Sequence, residues 1–405
     1  MKKWLATILT LTMLLGLAIT ANAEETITIT LMTVDSSDSP FLTSFIADYE
    51  ANHPNVKIEH IATVNAELKK QVKIAALAGE MPDIISLDNP DFSSFAAGGY
   101  MLDITDMVAD WEDINQFYPA VLSAVTYKDR LYGIPREANC LGFYYNTDIL
   151  AKAGFAIPEG TWTWADVEEA CKAVAALNDG TYGLAIAAPA SEVGTFQFIP
   201  WLYSAGGNYK KLDSDAAVKA MTFLADLIKN GYMSREVLNF THGALNNAFQ
   251  GQQMAMMVNG SWAIPGLSAV DFNWACTTIP VMNAGDASVT DLGGYHLGVT
   301  VDCEHPEIAL DILKTMASPE WESTYAKSTG TLPTRMDVAQ DSYWNEYPIS
   351  VFVNSMADAV SRVNVFWPDL SVNIYNAMQA ALSGDKDPAT ALSEAEVLNA
   401  PYWAY

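Results

Sequence analysis

The sequence predicts an α/β fold divided into two lobes, and three observations support this. The chain has 405 residues, half of them hydrophobic, whereas single hydrophobic cores stop growing near about 250–300 residues. Apolar alternation and helical periodicity follow one another as β-α-β-α-β between residues 27 and 87, and the succession begins again after residue 135. Such alternation is typical of mostly parallel sheets flanked by helices.

The first unit has clear helix and loop signals. Ser39 and Pro40 supply an N-cap and a first-turn proline for the helix that follows the first strand. Ligands of open α/β sheets bind beyond the carboxyl ends of the strands. The loops at residues 33–39 and 88–91 are therefore candidate binding loops. Strands are expected at 27–31, 56–60 and 83–87.

The second unit repeats these signals. Thr147 and Thr163 are the expected caps of two helices, and a strand is expected at residues 254–258. Gly260, just after this strand, permits close approach of the backbone. Ser261 can cap the next helix.

The amino terminus has the pattern of a secretory signal peptide. Lys2 and Lys3 precede an apolar run, and Ala21 and Ala23 are the small residues of a cleavage site after residue 23. An uncleaved membrane anchor is the alternative. No cysteine lies near the cleavage site, so we expect a free exported protein, periplasmic or secreted, rather than a lipoprotein.

Charge and cysteine content exclude several classes. Asp and Glu number 48 against 21 Lys and Arg, for a net charge of −27, whereas nucleic-acid binding requires clustered cations. The four cysteines allow three connectivities but form no Cys-x-x-Cys pair. Their spacing favours buried hydrophobic residues over a disulfide.

Recognisable catalytic, metal and cofactor motifs are missing. The sequence has no nucleophile elbow, zinc-binding His pair, phosphate loop or dinucleotide fingerprint, and its five histidines are scattered. Asp385 and Asp387 lack the full spacing of a calcium loop, and Asp387 is better explained as a helix N-cap. We therefore expect no cofactor and no enzyme activity, although a carboxylate pair of the glycosidase type needs no local motif.

Aromatic residues in predicted loops are the most informative candidates. An aromatic ring offers an apolar face to a sugar, and neighbouring carboxylates and amides bond its hydroxyls. The alternative for each ring is a place in the core. The candidates are Trp201, Trp262, Tyr295 and Trp367.

Six segments in order make the chain resemble the family 1 extracellular solute-binding proteins of bacterial ATP-driven importers. Each segment alone has little specificity, but together they span nearly all of the chain behind the signal peptide. They are FIADYEANHPNVKI at 45–58, AGEMPDII at 78–85, YGIP at 132–135 with YYN at 144–146, TWTW at 161–164, MAMMVNGSW at 254–262, and GTLPTR at 330–335.

The resemblance implies a type II periplasmic-binding-protein fold that closes on a carbohydrate by hinge motion and docks on a membrane permease as a monomer. Its crossing segments would fall near residues 135–139, 278–284 and 329–335. Lobe 1 would comprise 24–138 and 281–332, and lobe 2 would comprise 139–280 and 333–405.

The resemblance also implies a set of ligand contacts. Trp262 looks like the stacking residue of the second lobe, supported by Gly260 and Ser261, and Trp367 looks like a second platform. Polar contacts would come from Asp35, Ser36 and Ser37 in the first loop, Asp88 and Asn89 in the third-strand loop, and Asn139 at the first crossing. Asn139 replaces the carboxylate of maltodextrin-binding members, and the basic contacts of their first loop are missing, so maltodextrin specificity is not implied.

Three other functions are compatible with the residues. A secreted glycan hydrolase would use two carboxylates. A polyamine or other cation could occupy a cleft of the same fold, attracted by acidic and aromatic groups. A purely structural surface protein would have no need of a hinged cleft.

Overall fold

The computed structural model describes residues 26–403, which form two large sheets with their helices and a separate two-stranded hairpin at residues 126–131. The predicted signal peptide at residues 1–23 lies outside the described residues. The strands are β1 (Ile27–Thr33), β2 (Val56–Ala62), β3 (Ile84–Asp88), β4 (Thr126–Tyr127), β5 (Arg130–Leu131), β6 (Ile134–Pro135), β7 (Asn139–Asn146), β8 (Tyr182–Ala185), β9 (Met254–Gly260), β10 (Trp274–Thr277), β11 (Leu292–Gly293) and β12 (Tyr295–Val299).

Helices cover both sheets, and short 3-10 turns join several of them. The helices are α1 (Pro40–Asn52), α2 (Asn65–Ala78), α3 (Phe92–Ala97), α4 (Pro119–Ala124), α5 (Thr147–Lys152), α6 (Trp164–Ala175), α7 (Glu192–Ser204), α8 (Asp215–Lys229), α9 (His242–Gln250), α10 (Ile264–Leu267), α11 (Pro306–Met316), α12 (Pro319–Thr329), α13 (Ile349–Ser355), α14 (Trp367–Ser383) and α15 (Pro388–Asn399).

The two sheets are mixed, with one reversed strand in each. The first sheet has the order β2-β1-β3-β12-β6 and only β12 is reversed, whereas the second has the order β10-β7-β9-β8 and only β7 is reversed. Most strands of each sheet therefore run in the same direction, as expected for mostly parallel sheets. The pairs that include β7 or β12 are antiparallel. The reason is that β7 and β12 each enter directly from the other sheet, without a crossover helix.

Three short segments connect the sheets. Residues 136–138 link β6 to β7, and Gly294 links β11 to β12. A third segment pairs with the first, since the Leu332 N–H donates to the Ala138 carbonyl at 2.7 Å and the Ala138 N–H donates in return at 3.1 Å. The three backbones therefore lie side by side between the lobes.

The expected second crossing, at residues 278–284, is wrong. The Val281 N–H donates to the carbonyl of Trp162 at 2.8 Å, and β11 still pairs with β7 of the second sheet. Residues 281–293 were predicted to belong to lobe 1, but they lie beside the second sheet. The other lobe boundaries stay predictions.

Local helix signals agree better with the structure. Ser39 caps α1 through Leu42, Thr163 and Asp166 form a reciprocal capping box on α6, and Asp387 caps α15. Thr147 is the first residue of α5 rather than its cap, which is Asn146. These signals act over about three residues, so the sequence alone specifies them well.

The helices and sheets enclose two hydrophobic clusters, one around each sheet. All four cysteines are free, and Cys140, Cys171 and Cys276 are buried. They pack as small apolar residues, in agreement with the prediction from their spacing.

The crossing at Gly294 predicts a strong destabilisation by a single methyl group. Gly294 has a φ of +147°, and a Cβ there would lie 2.2 Å from the Glu137 carbonyl oxygen. We expect Gly294→Ala to lower the free energy of unfolding by about 2 kcal/mol or more, measured by urea denaturation.

Gly243→Ala is the matched control, because its Cβ would meet nothing closer than the Thr241 hydroxyl at 3.9 Å. It should be neutral or stabilising by about 0.4–1 kcal/mol. If Gly294→Ala and Gly243→Ala change the free energy of unfolding equally, the crossing has no steric need for glycine at position 294.

Candidate functional site

A cavity of about 400 Å³ lies where the crossings meet the two sheets. The side of the first sheet contributes Val34, Asp35, Asp88, Tyr295, Tyr325 and Thr329. The crossings contribute Glu137, Asn139, Gly293, Gly294 and Thr331, and the side of the second sheet contributes Glu192, Val193, Phe196, His242, Trp262 and Arg362. Its volume is within the range of small-molecule sites.

Five of the predicted ligand contacts line this cavity. Asp35 follows β1, Asp88 ends β3, Asn139 begins β7, Tyr295 begins β12 and Trp262 follows β9. Each lies at or within two residues of a strand end, and β7 and β12 begin at a crossing. The sheet topology therefore brings together residues that are far apart in sequence.

Four other predicted contacts lie outside the lining. Ser36 and Ser37 are exposed, and the Ser36 hydroxyl donates to Asp38. Asn89 is 1% exposed, with its N–H donating to the Gly294 carbonyl at 2.8 Å. Ser261 is completely buried, and its hydroxyl makes no hydrogen bond within residues 26–403 and caps no helix, which corrects its predicted capping role.

Trp201 and Trp367 are core residues, which corrects the prediction of Trp201 as a ligand contact and of Trp367 as a second platform. Both side chains have no exposed surface, so neither can present a face to a ligand. Trp201 lies beside Trp164, with ring centroids 5.9 Å apart. The Trp367 indole N–H instead donates to Glu192 at 3.0 Å. This hydrogen bond helps to hold Glu192, which lines the cavity.

Trp262 belongs to a wall of aromatic rings on the second sheet's side. Its ring is stacked with Phe196 at 6.5 Å between centroids and lies 5.0 Å from His242. Gly260 lies directly beneath, since a Cβ there would come within 2.1–2.4 Å of the Trp262 ring atoms. Gly260 thus acts through Trp262, because only a residue without a side chain allows this position of the ring.

A buried guanidinium joins this wall to the crossing. Arg362 donates through Nε to Asp291 at 2.9 Å, through Nη1 to Glu192, and through Nη2 to the Leu292 carbonyl at 3.3 Å. Its Cζ lies 4.6 Å from the centroid of Phe196. Ser371 also donates to Glu192.

A second charged cluster lies at the first crossing. Arg136 donates to Asp35 at 2.7 Å, and its Cζ lies 4.1 Å from the Tyr325 ring centroid. The Tyr325 hydroxyl donates to Glu137 at 2.6 Å, and Asn139 donates to the other Glu137 oxygen at 3.4 Å. Burial nonetheless raises the pKa of Glu137 to about 7.

Asp88 and His242 also have shifted pKa values. Removal from solvent, with the nearby charges of Asp91 and Glu192, raises the pKa of Asp88 to about 7, and Arg362 opposes this shift. Burial and the charge of Arg362 lower the pKa of His242 to about 4, so its imidazole is neutral at pH 7. The cavity therefore combines acidic acceptors with a neutral aromatic wall.

Several lining residues were not predicted from the sequence. Glu137 falls within the expected first crossing, so its position in the sequence could have identified it as a lining residue. Phe196 and His242 lie on helices with no local feature that distinguishes them from core residues. Tyr325 and Arg362 come from distant segments, and their burial follows only from the tertiary fold.

The sequence model of the family described as "Bacterial extracellular solute-binding protein" matches residues 44–352, more than half of the chain. The chain belongs to this family. The structure of an ABC transporter solute-binding protein from Thermotoga lettingae, bound with α-D-tagatose, has a TM-score of 0.84. It is 24% identical, and the match covers 93% of this chain and 99% of that one, which supports the predicted two-lobed fold.

Two curated relatives are similar over most of their lengths. The arabinooligosaccharide-binding protein of Bacillus subtilis is 24% identical over 366 residues, which cover 84% of this chain and 82% of the relative. The multiple sugar-binding protein of Streptococcus mutans is 21% identical over 334 residues, which cover 78% and 77%. The family consists of binding proteins rather than enzymes.

The cavity of this solute-binding protein is suited to holding a polar ligand without reacting with it. Its side chains offer hydrogen-bond acceptors and aromatic rings on both sides. Within residues 26–403, no group of three or more His, Cys, Asp or Glu is placed to hold a metal ion. In the same range, no helix is long and apolar enough to cross a membrane.

The raised pKa of Asp88 predicts a pH-dependent effect of its removal. The folded protein holds this proton up to about pH 7, whereas an ordinary Asp loses it near pH 3.8. The group therefore destabilises the fold as the pH rises from about 4 to 7. We expect Asp88→Asn to raise the melting temperature more at pH 8 than at pH 5.

Glu80→Gln is the control for this measurement, because Glu80 is exposed and lies outside the cavity. Its effect should be the same at both pH values. If the melting temperature of Asp88→Asn differs from that of the wild type by the same amount at pH 5 and at pH 8, the raised pKa of Asp88 is contradicted.

Proposed function

We propose that this solute-binding protein binds a sugar or oligosaccharide in the cavity between its lobes and delivers it to the permease of an ABC importer. The observation that carries this proposal is the placement of Trp262 on one lobe and of the acceptors Asp35 and Asp88 on the other. A pyranose ring has apolar faces and a rim of hydroxyl groups, and this arrangement matches both. The sugar-binding relatives described above support the proposal.

Closure of the lobes would follow from contacts to both of them. A sugar that stacks on Trp262 while donating to Asp88 binds the closed form better than the open form and shifts the population toward it. Micromolar affinity corresponds to about −8 kcal/mol, which a stacked ring and several charge-assisted hydrogen bonds supply after the ordering costs.

The proposal includes an exported monomer. The signal-peptide pattern at residues 1–23 and the absence of a cysteine near its cleavage site support a free protein outside the cytoplasmic membrane. A sugar captured there would reach the cytoplasm only through a membrane permease. Binding and release leave its bonds intact.

A ligand screen tests the proposal directly. A sugar present at about 100 times its dissociation constant should stabilise the protein by about 2.7 kcal/mol. We expect a raised melting temperature with at least one mono- or oligosaccharide, together with a smaller radius of gyration by X-ray scattering. Cleavage of the sugar, or no response to any carbohydrate, would contradict the proposal.

Trp262→Ala tests the stacking contact. Loss of a buried aromatic contact at the centre of a binding site costs about 2 kcal/mol or more, equivalent to at least about a 30-fold weaker affinity by titration calorimetry. Trp111→Ala is the control, because Trp111 is half-buried and lies outside the cavity lining. Unchanged affinity in Trp262→Ala would remove this ring from the site.

A further inference from the structure

Acidic groups outnumber basic groups around the cavity. Within the described residues, three cations lie at the cavity or contact its acidic groups, namely Lys69, Arg136 and Arg362. The carboxylates in the same region exceed them by three. They are Asp35, Asp88, Asp91, Glu137, Glu192 and Asp291.

All three cations already have protein partners. Lys69 pairs with Asp91 at 3.0 Å, and Arg136 pairs with Asp35 at 2.7 Å. Arg362 is shared between Asp291 and Glu192. A ligand with a phosphate or carboxylate group would therefore meet an excess of acidic groups, and each of the three cations already pairs with one of them, which is unfavourable.

Asp88 differs from the other carboxylates of the lining. Asp35 accepts from Arg136, Glu137 accepts from Tyr325 and Asn139, and Glu192 accepts from Arg362, Trp367 and Ser371. No N–H or O–H group among the described side chains and backbone donates to the Asp88 carboxylate. Its acceptor capacity is thus left for a ligand.

The position of Asp88 suits a cation rather than a hydroxyl group alone. Asp88 stands opposite Tyr295 in the pairing of β3 with β12, and the Glu137 N–H donates to the Tyr295 carbonyl at 3.3 Å. All three residues line the cavity, and the charges of Asp88 and Glu137 both act on the Tyr295 side chain and help to raise its pKa. An ammonium group is attracted both by carboxylates and by ring faces.

We infer that the ligand is a saccharide carrying a protonated amino group, with Asp88 as the counter-ion of that group. This inference rests on the proposed function, because it names the class of sugar that the same cavity binds. The sugar ring stacks on Trp262 of the second lobe. Its ammonium group lies against Asp88 and pairs with the charged form of that carboxylate.

Proton uptake and release support this assignment. The pKa values of Asp88 and Glu137 are both raised to about 7, so each group is partly protonated in the free protein near neutral pH. An ammonium group favours their charged forms and expels protons on binding. Tyr295, Tyr325 and His242 stay neutral at this pH, because burial shifts the pKa of each away from neutrality.

Matched sugar pairs provide the test. Titration calorimetry at pH 7 would compare glucosamine with glucose, galactosamine with galactose, and the β-1,4 glucosamine dimer with cellobiose, so that each pair differs only by amine for hydroxyl. We expect an amino sugar to bind at least tenfold more tightly than its partner. We also expect proton release, seen as a dependence of the binding heat on the buffer, and weaker binding at high salt.

Substitutions test whether Asp88 is the counter-ion of the ammonium group. Asp88→Asn should weaken binding of both sugars, because each donates to this carboxylate, but it should weaken binding of the preferred amino sugar at least tenfold more than that of its neutral partner. Glu80→Gln, at an exposed remote site, should preserve the full preference. A preference that survives Asp88→Asn would overturn the assignment of the counter-ion.

The outcomes separate this inference from the proposed function. Neutral sugars that bind as tightly as their amino partners would overturn the inference and leave the proposed function in place. Failure of every sugar to bind would overturn both. Tighter binding of spermidine than of every amino sugar would show that the cation, and not the saccharide, is what the cavity selects.

Discussion

The cavity depends on one buried guanidinium. Arg362 is 1% exposed and holds the first residue of α7 through Glu192, and the segment before the second crossing through Asp291. The same group packs against Phe196, which in turn stacks with Trp262. Removing one partner of a buried ion pair costs about 3–5 kcal/mol, because the remaining charge is uncompensated. The aromatic wall and the crossing are therefore energetically linked.

The fold was predictable where the signal is local. Ser39, Thr163 and Asp387 cap helices through contacts about three residues away, so their neighbours in sequence determine their roles. The second crossing was misplaced because its position is set by the pairing of Leu292 with Cys140, which no local pattern reveals. Both reversed strands have the same origin, since each enters from the opposite lobe.

The site was predictable only in part, and for a related reason. Asp35, Asp88 and Asn139 lie at strand termini, which the order of strands and helices indicates. Trp262 and Trp367 both lie at the start of a helical segment that follows a strand or loop, yet Trp262 lines the cavity and Trp367 is a core residue that bonds Glu192. Which face of a ring remains open depends on distant segments, and the sequence by itself does not distinguish the two cases.

The lack of a side chain at Gly260 lets the Trp262 ring pack on the backbone, which restricts the ring before a ligand binds. Because the indole of Trp262 rests on the chain itself, between Phe196 and His242, few rotamers are open to it before anything arrives. The entropy of ordering that ring is lost during folding rather than on association. Recognition at this wall is preorganised, and the proposed closure of the lobes is left as the adaptable part of binding.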